Sequence, residues 1–489
     1  MNVIVLLADT LRRDAVSAYE PTPVPTPAFE RLADLGVVFD QHYIGSYPCM
    51  PARHELWTGR YEFPFRGWGP VLPGEPTLPR LLSQSGVATM LITDHYHLFQ
   101  PGAGNYHFGF EGWEFIRGQE DDAMITPESP VLWPGPGETK VHRRWERYFR
   151  NTQDRRNGLH WKSPQDTFCA RTLTAASQWL RDNPTPRRPF FLLVDCFDPH
   201  EPFDPPSPFR ERAGAPPAEA CIPWPIYGRA DRYTPEELAG IRRLYSAEVA
   251  LVDDCFGRLL ETCADLGRLD DTVILVTTDH GHLFGEHGMI GKPSATHGDS
   301  TLYRPLGHIP FLAYHPESRG GRLRVPHLTQ TVDLFATVAD LLGVPLPEGT
   351  HGRSLVPHLL GQGSAIRPVA AFGKFGESIA VTDGILTLHQ WPPTQDNTPL
   401  YWYGPEAPSF LRPRGVGPFE PAAVRYPIDW VRGPMQTQLL DSGETHDRSV
   451  ELPADAARLR QALVDWLRAI GAPPSQFERL GLIERRMAE

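Results

Sequence analysis

The sequence predicts an α/β fold: a large, mostly parallel sheet flanked by helices on both faces, plus a smaller C-terminal antiparallel sheet with a helix. Three observations carry this. Apolar runs alternate with amphipathic helical segments over the first three quarters of the 489 residues. The runs are apolar on both faces, as strands covered from either side require. After about residue 365 the texture changes to short β-like stretches and one helix. At this length two domains are expected, an α/β domain over 1–365 and a smaller α+β subdomain over 366–489.

The strands are read as "NVIVLLAD" (2–9), "ATMLITD" (88–94), "PFFLLVDCFD" (189–198), "TVILVTTDH" (272–280) and "IPFLAYH" (309–315). Between them, "TPAFERLADLG" (26–36) and "TLPRLLSQSG" (77–86) each open with Thr and an early Pro and stop at Gly, and 234–267 is a long amphipathic run. Residues 100–165 are rich in Gly, Pro, Trp and charge with weak periodicity, so they read as an excursion over one end of the sheet that shapes a pocket. The C-terminal part offers "SIAVTDGILTLHQW" as antiparallel strands and a helix over 453–469.

Composition excludes several functions. Net charge is −12, and no Lys/Arg run could track a phosphate backbone, so nucleic acid is not an expected partner. No apolar stretch approaches the roughly 20 residues that span a bilayer. The opening "MNVIVLLADT" reads as a buried strand rather than a secretory leader, and six cysteines without CxxC or zinc-like spacing read as free thiols, so the expected location is cytoplasmic.

Chemistry concentrates at strand ends. In a parallel α/β sheet the carboxyl ends share one edge, where ligands bind. "LLAD" delivers Asp9 there, "VTTDHGH" delivers Asp279 and His280, "DPHEPF" delivers His200, and "TDHYHLF" delivers His95 and His97. Lys292, in "GEHGMIGK", is a point charge able to hold an anionic oxygen. Singly, each has a blander reading: an aspartate as a turn or cap residue, a histidine as structural, Lys292 as a solvated charge, and Cys49 as a small buried apolar group. Their convergence favours a site. No G-x-S-x-G elbow occurs, which argues against a serine hydrolase.

"YPCMPARHELWTG" (47–59) fits the Cys-x-Pro-Ser/Ala-Arg signature, and with Asp9, "DPHEPF", "TTDHGHLFGEHGMIGK" and a late "LLDSGETHD" in the same order the chain resembles the type I sulfatases of the alkaline phosphatase-like superfamily. The resemblance implies that 1–365 is the catalytic domain and that Cys49 is oxidised by a formylglycine-generating enzyme to Cα-formylglycine, whose hydrated form attacks the ester. It further implies that Asp9, Cys49, Asp279 and His280 hold one divalent metal, Ca²⁺ or Mn²⁺. Arg53 then favours the ionised diol, Lys292 and His200 bind the sulfuryl oxygens, and one of the histidines, with His97 among the catalytic set, protonates the leaving alcohol. The implied substrate is a small-molecule sulfate ester.

Three departures from the family pattern bear on this. Thr10 stands where many sulfatases have a second aspartate, which lowers the negative charge around the cation and makes a phosphonate monoester hydrolase or phosphodiesterase the alternative. His95 stands where the family's Lys-x-His pair has lysine, and is expected to bind substrate. The insert "PSATHGDS" adds His297 as a further substrate contact, with Asp299 beside it. A catalytically silent binding protein with an unmodified thiol is the competing class. The leaving group stays open, as does assembly into a homo-oligomer.

Overall fold

The computed structural model describes residues 1–72, 74–100, 103–125, 153–185, 187–217, 220–294, 299–318, 321–394, 397–402, 424–425 and 437–482. Its main sheet has eight strands: β1 (Asn2–Ala8), β2 (Val37–Tyr43), β3 (Ala88–Thr93), β4 (Gly112–Phe115), β5 (Phe190–Cys196), β6 (Thr272–Thr277), β7 (Phe311–Tyr314) and β8 (Leu323–Gln330). The spatial order is β8-β2-β7-β6-β1-β5-β3-β4. Only β7 runs against its neighbours, β2 and β6; the other pairs are parallel. Three apolar runs therefore become the sheet's centre, with β1 between β5 and β6.

Alternation along β1 sets the layers. Ile4, Leu6 and Ala8 pack with α1 (Pro27–Leu35), α4 (Phe168–Asp182) and α5 (Pro235–Asp265) on one face. Val3, Val5 and Leu7 pack with α2 (Cys49–Thr58), α3 (Leu78–Gln84) and α6 (Asp333–Leu341) on the other. Side chains of a strand point to opposite faces with period two, so a strand apolar at every position must be covered twice. Each buried Leu or Ile contributes about 1.5–3 kcal/mol relative to exposure.

Two helix starts show how differently the ends are satisfied. Thr234 and Glu237 form a reciprocal capping box around Pro235 at the head of α5. Thr26 does not cap α1 with its side chain; instead Asp253, on α5, accepts from the backbone N–H groups of Ala28 (3.1 Å) and Phe29 (2.8 Å). One helix thus caps another, a contact 225 residues long in sequence.

A second sheet pairs Ala370–Lys374, Ile379–Thr382, Thr387–Gln390 and Gln438–Leu440 with the short strand Ser46–Tyr47. The hairpin read from "SIAVTDGILTLHQW" is present as an antiparallel pair, and helix α7 (Pro453–Ala469) covers it with Leu459, Leu463 and Leu467. Because only Pro48 separates Ser46–Tyr47 from Cys49, this sheet anchors the entry to α2. Within 100–165, residues 112–115 form the edge strand β4, and 126–152 lie outside the described residues. No described helix is long and apolar enough to cross a membrane.

Candidate active site

The carboxyl ends of β1, β3, β5 and β6 and the first turn of α2 meet at one edge of the main sheet. Asp9 leaves β1, Asp279 and His280 leave β6, and Cys49 opens α2. One ligand atom from each lies within 4.8 Å of the others, and all four residues are buried. The Cys49 Sγ is 3.1 Å from His280 Nε2. The Nδ1 of His280 donates to the Gly281 carbonyl (2.9 Å), which leaves Nε2 as the lone-pair nitrogen, the tautomer a metal requires.

Arg53, one turn after Cys49, is wholly buried and ties the carboxylates together. Its Nη1 lies 2.7 Å from Asp279 Oδ2 and 3.1 Å from Asp9 Oδ2. Its Nε and Nη2 make a bidentate pair with Asp195 at 2.9 and 2.7 Å. Burial alone would lower the guanidinium; Asp195, Asp279 and Asp9 hold it fully protonated. Against burial, Arg53 and His95 likewise keep the Asp9 carboxyl well below its ordinary range. Three carboxylates around one cation leave excess negative charge in a water-poor pocket, which a divalent ion would neutralise. Donor types, spacing and the His280 tautomer all fit such an ion.

Thr10 has φ +65°, a left-handed conformation that is an outlier for a β-branched residue. Its N–H donates to Asp279 Oδ1 (3.0 Å) and its hydroxyl to Asp9 Oδ1 (2.6 Å). The position that lacks the family's second carboxylate therefore orients the two that are present.

A second cluster adjoins this one. Glu201, in the "DPHEPF" loop after β5, is fully buried. Its carboxylate accepts from Lys292 Nζ at 2.6 Å and pairs with His282 Nε2 at 2.9 Å, while His200 Nδ1 donates to its backbone carbonyl at 2.6 Å and lies 3.3 Å from the carboxylate. Lys292 Nζ also reaches Thr10 Oγ1 at 3.4 Å, so the clusters touch. Burial opposes ionisation of Glu201, yet Lys292, His282 and His200 hold its carboxyl well below the usual range. Burial and then Lys292 push His200 well down, so both it and His282, which burial also lowers, are neutral imidazoles at pH 7.

The remaining candidates fall around these clusters. His95 Nε2 lies 3.1 Å from Asp9 Oδ2, and burial pushes the ring down to about 4. His97 packs beside it, ring centroids 5.2 Å apart, with Nε2 2.9 Å from Glu120 Oε2. Asp299 serves its own turn, accepting from Tyr303 Oη (2.7 Å) and Thr301 N (2.9 Å). His297 lies outside the described residues. In the late "LLDSGETHD", Glu444 reaches His287 at 3.2 Å and the backbone N–H of Arg304 at 2.8 Å, joining the C-terminal part to the segment after β6.

Asp195, Glu201 and His282 are absent from the sequence-derived set. A signal existed for Asp195: it is a lone carboxylate inside the apolar strand "FFLLVDC", and a buried charge without a partner is costly. It required a buried cation, which Arg53 supplies. Burial and the neighbouring Asp9 and Asp279 carboxylates raise the unmodified Cys49 thiol well above its ordinary value, so in the absence of a cation it stays protonated.

Two carboxylates, an imidazole and a helix-opening cysteine thus converge at the carboxyl edge of a sheet whose structural neighbours are ester hydrolases of the alkaline phosphatase-like fold. Residues 1–344 match the family model described as Sulfatase, and the chain belongs to that family. It is 28% identical over 410 residues to human iduronate 2-sulfatase, covering 71% of this chain and 70% of that protein. It is 25% identical to an N-acetylglucosamine-6-O-sulfatase of Bacteroides thetaiotaomicron, covering 74% and 71%. Among solved structures, the phosphonate monoester hydrolase of Agrobacterium radiobacter superposes with TM-score 0.67 at 20% identity, covering 96% and 95%. A structure described in complex with its substrate D-glucosamine-2-N,6-O-disulfate gives 0.67 at 17% identity, covering 97% and 99%. The fold is thus shared across both chemistries, while the family and the sequence relatives identify a sulfatase.

Proposed function

We propose that Cys49 is matured to Cα-formylglycine by a formylglycine-generating enzyme and that the site hydrolyses sulfate monoesters carried on a sugar. The observation that carries this is the placement of Cys49 Sγ 3.1 Å from His280 Nε2 inside the buried Asp9–Asp279 set. Asp9, Asp279, His280 and the modified residue 49 would hold a divalent cation, which acts as a Lewis acid toward the ester and lowers the pKa of the attacking oxygen. The aldehyde carbon of a formylglycine supplies a hydrated nucleophile that can release its sulfate by reverting to the carbonyl.

This chain's own residues do the rest. Arg53 fixes three carboxylates in register at the opening of α2, so the nucleophile's position is set before substrate arrives. Lys292 offers N–H donors to sulfuryl oxygens. His97 is the imidazole available for the leaving alcohol's proton, because His200 is held neutral with its Nδ1 proton given to the Glu201 carbonyl. The choice of a sugar ester follows from the relatives, an iduronate 2-sulfatase and an N-acetylglucosamine-6-O-sulfatase. For the metal, two carboxylates plus an imidazole favour Mn²⁺ over Ca²⁺, because Thr10 Oγ1 is already engaged with Asp9 and Lys292.

Two measurements test the reading. The peptide containing residue 49 from the active enzyme should be lighter by about 18 Da, the change from thiol to aldehyde; an unmodified thiol in active enzyme overturns it. In a panel of hexosamine 6-O-sulfate, uronate 2-O-sulfate, a phosphonate monoester and a phosphodiester, kcat/KM should be highest for a sulfate. A preference for either phosphorus ester makes the alternative correct, a reading that the donor set and the phosphonate hydrolase fold neighbour keep specific. Thr10→Asp should move the metal preference toward Ca²⁺.

A further inference from the structure

The oxyanion-binding wall contains an acid that a pure anion-binding site would exclude. The Glu201 carboxylate accepts from Lys292 Nζ at 2.6 Å and pairs with His282 Nε2 at 2.9 Å, and neutral His200 lies 3.3 Å from it with Nδ1 donating to the Glu201 backbone carbonyl. Glu201 is fully buried, so its charge is not screened by water. The groups facing it are the Lys292 ammonium and the two imidazoles; around them lie the Tyr227 ring, 5.5 Å from Lys292 Nζ, and the Arg12 guanidinium, whose Nη1 donates to the His282 carbonyl (2.9 Å). The positive charge of Lys292 is therefore matched by the negative charge of Glu201. Lys292 still presents N–H donors, but the wall as a whole is uncharged.

We propose that Glu201 is a specificity-determining residue that restricts the site to esters carrying a single negative charge on the tetrahedral group and rejects dianionic phosphate monoesters. A sulfate monoester spreads one charge over its non-bridging oxygens. A phosphate monoester carries two above its second pKa of about 6. An uncharged wall with hydrogen-bond donors serves the first ion, and the second brings an extra charge that meets no counter-charge there. At an effective dielectric constant of about 20, one uncompensated unit at about 5 Å is worth roughly a hundredfold in binding. This rests on the hydrolase reading of the site, but it holds equally for sulfate, phosphonate and phosphodiester substrates, all monoanions.

The test compares one pair of substrates that differ only in the transferred group, 4-nitrophenyl phosphate and 4-nitrophenyl sulfate, on the matured, metal-loaded enzyme. Taking the ratio of their kcat/KM values cancels titrations of the enzyme. In wild type, the phosphate-to-sulfate ratio should fall about tenfold per pH unit from about pH 6 upward, where the phosphate is past its second pKa, because only the monoanion is accepted. In Glu201→Gln the ratio at pH 8 should rise about ten- to a hundredfold over wild type and lose that slope. A flat wild-type ratio from pH 6 to 8, with sulfate turned over normally, overturns the inference and leaves the sulfatase reading standing. So does a variant that hydrolyses sulfate but no phosphate. A flat wild-type ratio overturns the inference even where Glu201→Gln does not fold. If the matured wild type hydrolyses no ester of any class, the underlying functional reading fails, and this inference fails with it.

Discussion

On one wall of the site a single cation, Arg53, serves the three carboxylates Asp9, Asp195 and Asp279; on the other a single residue, Glu201, serves a lysine and an imidazole through its carboxylate and a second imidazole through its backbone carbonyl. Both networks are buried, and both are built from strand ends and the loops that follow them. The first carries excess negative charge and is completed by a divalent cation. The second is balanced and is completed by an anion that brings little charge of its own. Thr10 joins them, donating to Asp9 and accepting from Lys292. Removing a charge from either wall should therefore have consequences that tell the walls apart.

The largest effect is expected at the first wall. Asp9→Asn keeps the shape and removes one of the carboxylates that hold the cation. Metal content should fall from about one to below about 0.1 ion per chain, and kcat/KM by at least about 10³-fold, since the Lewis acid and the nucleophile's activation are lost together. Elemental analysis beside kinetics checks this. Full metal occupancy in the variant would show that Asp9 is not a ligand.

At the second wall the loss should be smaller and of another kind. Lys292→Ala should lower kcat/KM by about 10²- to 10³-fold, the usual cost of one preorganised donor on a developing charge. Metal content should stay at the wild-type value. A variant that loses its metal would mean that the walls are not separable through Thr10.

Gly281 sits between His280 of the first wall and His282 of the second. A Cβ there would lie 1.9 Å from the Pro305 carbonyl oxygen, a backbone atom that cannot move aside, and 3.3 Å from Arg12 Cγ. Gly281→Ala must shift the segment that carries both histidines. Overpacking of this kind costs about 1–3 kcal/mol, so denaturant unfolding should move to lower concentration while metal affinity and sulfate turnover fall together. An effect on only one of the two would mean that the segment does not act as a unit.

The first wall was largely legible in the sequence, and the second was only half so. Asp9, Asp279 and His280 stand at the ends of apolar strands, and strand ends converge by topology. Cys49 and Arg53 lie one helical turn apart. Asp195 and Glu201 escaped because they act on other side chains: Asp195 meets Arg53 across 142 residues and Glu201 meets Lys292 across 91. Periodicity says nothing about such pairs. The fold shows the same division. The central strands β1, β5 and β6 each carry an unbroken apolar run and were readable, whereas β2 contains Asp40, Gln41 and His42, β8 contains Pro326, and neither announces itself as a strand. The antiparallel course of β7 is fixed by its neighbours, not by its own residues.

The smallest effect is expected behind the second wall, where Arg12 supports the His282 carbonyl and is itself held by Glu286 at 2.8 Å and by Asp14. Burial opposes ionisation of Glu286, yet Arg12 and the Phe284 N–H hold its carboxyl down to about 2 from an ordinary value of 4.5. Because the folded value is the lower one, the ionised form stabilises the native state, fully so above about pH 4.5 and progressively less as pH falls toward about 2. With a quarter of the side chain exposed, the contribution is about 1–2 kcal/mol after allowing for solvent screening. Glu286→Gln should lower stability at pH 7 by that amount and flatten the loss of stability between pH 4.5 and 2, while the phosphate-to-sulfate ratio keeps its wild-type value. Identical acid limbs for variant and wild type would remove Glu286 from the account. A changed ratio would place the control of substrate charge further out than Glu201.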